Sequence, residues 1–201
     1  QCGDISQDDD IVGIAKRVLA AAPASFALAG LSMGGIVAME MWRQSPERIE
    51  RLALLDTNFR ADTEERRKER DRQIAEVRQG ELGAILKDEL KPNYLAACHR
   101  HNHGLLDEVL YMGMSLGEAV FLRQSVALRD RPDSTATLAT IDCPTLVLCG
   151  EEDELCSPQL HREMTSMIPC ATLEIIAQCG HLSTMEQPRA VNNALLAWLT
   201  Q

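Results

Sequence analysis

The sequence predicts an α/β fold, a mostly parallel sheet with helices on both faces and a block of helices inserted between two strands. Short, continuously apolar segments alternate with segments whose apolar residues recur at helical spacing. The apolar segments show no polar alternation, which is typical of strands buried on both faces of a parallel sheet. No strand pattern occurs between residues 59 and 131, so this region is predicted to be helical.

Two helices and two strands are predicted before the inserted region. Polar residues Ser6 and Asp8 to Asp10 can cap the first helix, and Pro23 ends it. Pro46 ends the second helix. In order, these elements are a helix to about 21, a strand at 26–29, a helix from 36 and a strand at 52–56.

The inserted region is predicted to contain five helices and to form a cap. Gly80, Pro92, Gly104 and Gly113 separate these helices, because glycine and proline interrupt helical runs. The first helix is highly charged with both signs mixed, which favours a solvated face over a binding patch. The helices are predicted at 64–78, 82–90, 94–101, 105–112 and 116–128.

Strands and helices alternate again after residue 132. The apolar segments 145–149 and 172–176 predict two further strands, each followed by a helix. Ser157 and Pro158 supply an N-cap and a first-turn proline to a helix that Pro169 ends. We therefore predict a core of residues 1–58 and 132–201, with the helical cap at 59–131.

Composition and charge argue against several classes of function. The chain has 201 residues, 45% hydrophobic and 25% charged, and a net charge of −10. A polyanion is repelled on average, so no nucleic-acid partner is predicted. No apolar run reaches bilayer length and no signal-peptide pattern is visible, so no membrane association is predicted. The seven cysteines include no C-x-x-C pair, which favours reduced thiols in a cytoplasmic protein.

The segment 30–35, Gly-Leu-Ser-Met-Gly-Gly, carries the strongest functional signal. It joins a predicted strand to a predicted helix, which is the geometry of a nucleophile elbow with Ser32 at its apex. Gly30 and Gly34 are predicted to lie where the strand and helix backbones pass too closely for a Cβ atom. The helix N-terminus favours negative charge at this point. Ser32 is therefore the candidate nucleophile.

A serine nucleophile needs a base, and the base needs a carboxylate that fixes its tautomer. His181 follows a glycine in the loop after one predicted strand, and Asp153 lies in the loop after another. Because the carboxyl ends of parallel strands meet at one edge, we expect Ser32, Asp153 and His181 to converge there. The competing carboxylates in the acid loop are Glu151, Glu152 and Glu154.

Taken together, these motifs resemble those of the α/β-hydrolase superfamily, in particular esterase-like serine hydrolases with a helical cap. Segment 30–35 matches the family's elbow, 150–153 its acid loop, and 179–181 followed by 186–188 its histidine loop and last helix. The resemblance implies Ser32 as nucleophile, His181 as general base and acid and Asp153 as the orienting carboxylate. It also implies that the backbone N–H of Met33 is an oxyanion donor.

The resemblance implies cleavage of a small carboxylic ester, thioester or lactone through an acyl-enzyme. Candidate substrate contacts are Met112, Phe121, Leu155 and Leu182, with packing of the cap helices as the alternative for the first two. No cofactor and no metal site are predicted. The histidines at 99, 101 and 103 favour a solvated or cap-packing cluster, because only the first and last share a helix face.

The sequence departs from the family pattern before the elbow. In the family, a second oxyanion N–H comes from a loop after an earlier strand, and no strand is predicted before residue 26. The chain therefore resembles an N-terminally incomplete α/β hydrolase. We expect the open strand edge to pair with another copy as a homo-oligomer, or the first helix to cover it. Alternative functions are an inactive or weakly active binding module, a C–C bond hydrolase and a cofactor-free haloperoxidase-like enzyme.

Overall fold

The computed structural model of the protein describes residues 1–90 and 93–200 and contains a parallel sheet. Its four strands lie side by side in chain order, and each neighbouring pair is parallel. The strands are β1 (Phe26–Leu31), β2 (Ile49–Leu55), β3 (Thr145–Gly150) and β4 (Ala171–Ile176). The predicted fold class and the positions of its strands are confirmed.

The helices also follow the predicted alternation in the core. They are α1 (Ile11–Ala21), α2 (Met33–Gln44), α3 (Glu64–Val77), α4 (Leu82–Ala84), α5 (His103–Arg129), α6 (Thr135–Leu138), α7 (Pro158–Met167), α8 (Ser183–Glu186) and α9 (Pro188–Leu199). A π-helical segment at Ile85–Leu90 extends α4, and Pro46–Arg48 and Ala97–His99 are short 3-10 turns. Asp10 caps α1 by accepting from the N–H of Gly13. Within the described ranges, no helix is both long and apolar enough to cross a membrane.

The core is divided into two apolar layers by the sheet. Successive strand residues point to opposite faces, so Leu54 and Val147 pack against the layer that holds α1, α2 and α7. Leu55 and Leu148 face the other side, where they pack in a cluster with Trp198 of α9. The central strands β2 and β3 are buried almost throughout, as their unbroken apolar sequences predicted.

Strand β1 is less buried than predicted. Ala27 and Ala29 are exposed, whereas Phe26 and Leu28 are half-buried. The reason is that β1 lies at the sheet edge, with β2 as its one neighbour. Helix α1 packs against α2 rather than along the open edge, so the expectation that α1 covers this edge is wrong. Pairing of the edge with a second copy stays a prediction.

The inserted helices, defined as α3 to α5, differ from the predicted pattern at their glycines. Gly113 does not end a helix, because α5 continues through it, and a Cβ at Gly113 would meet the side chain of Leu86 at 2.9 Å. The break lies instead at Gly117, whose φ of 78° and ψ of 173° interrupt the helical geometry. Gly80 follows α3 with a φ of 96°. Pro92 lies outside the described residues.

The helix predicted at 94–101 is not formed. Tertiary hydrogen bonds replace helical ones: the N–H groups of Ala96 and Ala97 donate to the carboxylates of Glu186 and Glu152, at 2.7 and 2.8 Å. The carbonyl of Tyr94 accepts from the N–H of His181 at 2.8 Å. These bonds satisfy the backbone polar groups without a helix, and they hold this segment against the carboxyl edge of the sheet.

Candidate active site

Ser32 occupies a sharp turn between β1 and α2. Its φ of 52° and ψ of −116° are unusual for a residue with a Cβ atom. The other non-glycine residues with positive φ in the described ranges are Asp56 and Gln178, which follow β2 and β4. Backbone strain of this kind costs on the order of 1–3 kcal/mol per residue. It is therefore concentrated at the carboxyl edge of the sheet.

Two glycines make the turn at Ser32 sterically feasible. A Cβ at Gly30 would lie closer than 3.0 Å to the backbone of Gly34, and a Cβ at Gly35 closer than 3.0 Å to Thr57. A Cβ at Gly34 would meet no heavy atom within 4 Å. The expectation that Gly34 is sterically required is therefore wrong. Gly35 has that role because Thr57 of the next loop packs against it.

The three candidate triad side chains are hydrogen-bonded in series. The Oγ of Ser32 lies 2.8 Å from Nε2 of His181. Nδ1 of His181 lies 2.9 Å from Oδ2 of Asp153. The Ser32 hydroxyl does not cap α2, so it is available to His181. A proton on Nδ1 can be donated to the carboxylate of Asp153, which leaves Nε2 as the acceptor for the Ser32 hydroxyl.

Asp153 is held in place by its own loop. Its Oδ1 accepts from the N–H groups of Leu155 and Cys156 at 2.9 and 2.8 Å, and the residue is 2% exposed. The neighbouring glutamates have other partners: Glu152 accepts from the N–H of Ala97, and Glu154 pairs with Arg100. Asp153 is therefore the carboxylate of this loop that contacts the histidine.

The loop that carries His181 is fixed by groups that the sequence did not indicate. The ring of Tyr94 stacks on His181 with a centroid separation of 5.9 Å and an interplanar angle of 24°. Burial raises the pKa of the Tyr94 hydroxyl. The carboxylate of Glu186 accepts from the N–H of Gly180 at 2.8 Å and lies 2.9 Å from Nδ1 of His99. His99 therefore packs against the histidine loop rather than standing in solvent.

A second buried acid lies beside the triad. The Oδ1 of Asp56 accepts from the N–H of Gly150 at 2.9 Å, and its Oδ2 accepts from the hydroxyl of Ser183. Burial raises the pKa of Asp56 from 3.8 to about 7. The residue joins the ends of β2 and β3 to α8. Its position directly after an apolar strand was the sequence signal that could have identified it.

The candidate triad opens into a cavity of about 770 Å³ between the core and the inserted helices. Ser32 and His181 line it, whereas Asp153 lies behind the histidine. The predicted contact residues Met112, Phe121, Leu155 and Leu182 all line it, as does Met33, the predicted oxyanion donor. The charged helix α3 also contributes Arg66, Glu69 and Arg70, so the expectation that its charges only form a solvated face is wrong.

Among the described residues, Asp153, Cys156 and His181 place three potential metal-binding atoms within 4.8 Å of one another. The hydrogen bonds of Asp153 already use both of its oxygens, one of them for His181. Burial raises the pKa of the Cys156 thiol, so it stays protonated near neutral pH. The arrangement therefore fits a hydrogen bond between His181 and Asp153 better than metal binding.

Proteins of known structure share this fold. The solved thermophilic esterase from Thermogutta terrifontis, with malate bound, is 31% identical and has a TM-score of 0.90. This similarity covers 98% of the present chain and 74% of the esterase chain. The enol-lactonase from Burkholderia xenovorans LB400, at 23% identity, has the same fold, with a TM-score of 0.86 over 96% of this chain and 74% of its own.

A curated Bacillus subtilis (strain 168) protein, provisionally named 2-succinyl-6-hydroxy-2,4-cyclohexadiene-1-carboxylate synthase, is 29% identical over 185 residues, 86% of this chain. The chain spans 65% of that relative's length. The sequence profile described as the Alpha/beta hydrolase family matches residues 2–194. This chain therefore belongs to the Alpha/beta hydrolase family.

Proposed function

We propose that this protein is a serine hydrolase that cleaves small carboxylic esters, thioesters or lactones through an acyl-enzyme. The observation that carries the proposal is the unbroken hydrogen-bond series from Ser32 through His181 to Asp153, at 2.8 and 2.9 Å. A serine hydroxyl bonded to a histidine that is itself oriented by a carboxylate is the arrangement that activates a serine nucleophile.

The acylation step follows from this series. Oγ of Ser32 attacks the carbonyl carbon of the substrate while its proton passes to Nε2 of His181. The imidazolium that forms is stabilised by Asp153, which remains ionised. When the tetrahedral intermediate collapses, His181 returns the proton to the leaving oxygen, and an alcohol departs. The acyl group is then held as an ester on Ser32.

Deacylation repeats the same proton transfers with water. A water molecule gives a proton to Nε2 of His181 and attacks the acyl carbon. Collapse of the second tetrahedral intermediate breaks the bond to Oγ, and His181 returns the proton to Ser32. The carboxylic acid leaves and the enzyme is restored.

The N–H of Met33 is the proposed oxyanion donor. Met33 is the first residue of α2, and the first N–H groups of a helix have no intrahelical acceptor. The helix dipole adds further stabilisation of negative charge at this end. Removing one oxyanion donor from a hydrolase typically costs about a hundred- to a thousandfold in kcat, so this single N–H has a large effect on rate.

The inserted helices, within the proposed cap at 59–131, form the outer wall of the cavity and set the size of the substrate. Met112 and Phe121 provide apolar contacts from α5, and Leu155 and Leu182 provide them from the core loops. A volume of about 770 Å³ accommodates a small-molecule ligand. The similarity to a protein that is named an esterase supports ester substrates.

Ester hydrolysis by matched serine variants tests the proposal. Turnover of 4-nitrophenyl butyrate is measured for the wild type, Ser32→Ala and Ser25→Ala, which removes a hydroxyl just before the opposite end of β1. We expect Ser32→Ala to lower kcat by about a millionfold, and Ser25→Ala to leave it unchanged. Wild-type turnover by a folded Ser32→Ala protein would overturn the proposal.

A further inference from the structure

Each carboxylate that lines the cavity is paired with at least one arginine. Asp62 pairs with both Arg70 and Arg131, each at 2.6 Å. The others are Glu69 and Glu89, which share Arg72, and Glu154, which pairs with Arg100.

Arg66 is the exception among the arginines that line the cavity. Arg60 pairs with Glu163, and Arg70 and Arg131 share Asp62. Arg66 has no carboxylate partner, and its guanidinium makes no hydrogen bond, within residues 1–90 and 93–200. Its backbone N–H is anchored by the hydroxyl of Thr63 at 3.3 Å. Arg66 is exposed and lines the cavity, so its guanidinium is an unused bidentate donor at the cavity wall.

The charge of Arg66 acts close to the triad. The charge of Arg70, and less strongly that of Arg66, opposes the effect of burial on the pKa of the Tyr94 hydroxyl, and Tyr94 stacks on His181. The charge of Arg131, and less strongly that of Arg66, opposes the rise that burial causes in the pKa of the Cys156 thiol, and the backbone N–H of Cys156 donates to Asp153. Asp62 lies between two arginines, so this group of three side chains has one more positive than negative charge.

We propose that the cavity selects esters carrying a carboxylate in addition to the scissile bond, and that Arg66 binds this carboxylate. The inference rests on the proposed function and names its substrate class. The chain as a whole carries a charge of −10 and repels anions on average. A local guanidinium without a partner reverses this effect inside the cavity, where it forms a charge-assisted, bidentate pair. The resulting gain is in substrate binding, so it affects KM more than kcat.

Two esters of equal length test this selection. The 4-nitrophenyl monoester of glutaric acid carries a terminal carboxylate, and 4-nitrophenyl pentanoate does not. Both are compared with the wild type, Arg66→Gln and Arg67→Gln, the control being the next residue of α3, which is exposed and does not line the cavity. We expect Arg66→Gln to lower kcat/KM for the glutarate ester about tenfold, mainly through KM. The pentanoate reaction, and both reactions of Arg67→Gln, should change less than about twofold.

The conservative variant and salt provide a second readout. Arg66→Lys keeps the charge but not the bidentate fork, so it should recover part of the preference for the glutarate ester. Added salt should weaken the preference in the wild type and have little effect in Arg66→Gln. The inference is overturned if Arg66→Gln slows both esters equally, or if the wild type shows no preference that depends on Arg66.

Failure of the proposed function is distinguishable from failure of this inference. If neither ester is hydrolysed by the wild type, the proposed function fails, and calorimetric binding of glutarate still tests the anion site. In a Ser32→Ala background, glutarate should bind about tenfold more weakly when Arg66 is also replaced by Gln. Equal binding by the two proteins would overturn the inference on its own.

Discussion

The carboxyl edge of the sheet and the inserted helices are built by different kinds of contact. At the sheet edge, buried carboxylates bond backbone N–H groups, as Asp153 does with Leu155 and Cys156. In the inserted helices, exposed ion pairs dominate, such as Arg72 with Glu69 and Glu76. Exposed pairs contribute little to stability and rearrange readily. Under the proposed function, this difference places the chemistry among the buried hydrogen bonds of the sheet edge and the selection of the substrate among the exposed ion pairs of the inserted helices.

The largest expected effect is a difference in kcat between two variants, one of a histidine at the sheet edge and one of a histidine in the inserted helices. His181→Asn removes the proposed base, which is hydrogen-bonded to Ser32, whereas His103→Asn alters the exposed start of α5. We expect the first to lower kcat for 4-nitrophenyl butyrate by about a millionfold and the second to leave kcat unchanged. Comparable losses in both variants would contradict the assignment of the chemistry to the sheet edge.

The acid loop offers a second comparison of the same kind. Asp153→Asn should lower kcat about ten-thousandfold, because the amide favours the wrong histidine tautomer. Glu154→Gln breaks an exposed pair with Arg100 and should leave kcat nearly unchanged. Circular dichroism checks that both variants are folded. A small effect of Asp153→Asn together with a large effect of Glu154→Gln would show that the acid is Glu154 and not Asp153.

The elbow glycines sharpen the comparison in terms of stability. Gly30→Ala forces a Cβ against the backbone of Gly34, so it should lower the free energy of unfolding by about 3 kcal/mol or prevent folding. Gly34→Ala places its Cβ in open space within a helix and should raise stability by up to about 1 kcal/mol. Urea denaturation measures both. Equal destabilisation would show that the close approach at Gly30 is not what holds the turn.

A further expected effect concerns pH and the buried Asp56. Its pKa is raised to about 7 in the folded protein, against about 3.9 in an unfolded chain. The folded state therefore keeps the Asp56 proton up to a higher pH than the unfolded chain does. As a result, the free energy of unfolding decreases as pH rises from about 4 to 7. Asp56→Asn removes this dependence on pH. The free energy of unfolding of the variant, relative to that of the wild type, should therefore increase between about pH 4 and 7 and stay constant above about pH 7. A stability difference that does not vary with pH would contradict the raised pKa.

The core and the triad candidates could be predicted because their signals are local in sequence. Ser32, Asp153 and His181 each follow an apolar strand within a few residues, and parallel strands bring those ends together. The two helices predicted at 105–112 and 116–128 together cover most of α5. The break within it could not be placed, because Gly113 and Gly117 look alike in sequence and differ only in packing.

The remaining features depend on partners that are distant in sequence. The segment 94–99 has a helical pattern. However, the N–H of Ala96 donates to the carboxylate of buried Glu186, which lies 90 positions later in the sequence. Gly35 is constrained by Thr57, which no pattern around the elbow shows. The accessible charge of Arg66 becomes apparent only when the neighbouring charges of the cavity are seen to be paired.

Covalent labelling tests the central claim most directly, namely that Ser32 is activated by His181. The wild type, Ser32→Ala and His181→Asn are treated with a fluorophosphonate probe, and the modified peptide is identified by mass spectrometry. Only an activated serine reacts rapidly with such a probe. The account predicts a single phosphonylated residue, Ser32, in the wild type and no labelling in either variant on the same timescale. Labelling at another residue, or equal labelling of His181→Asn, would contradict it.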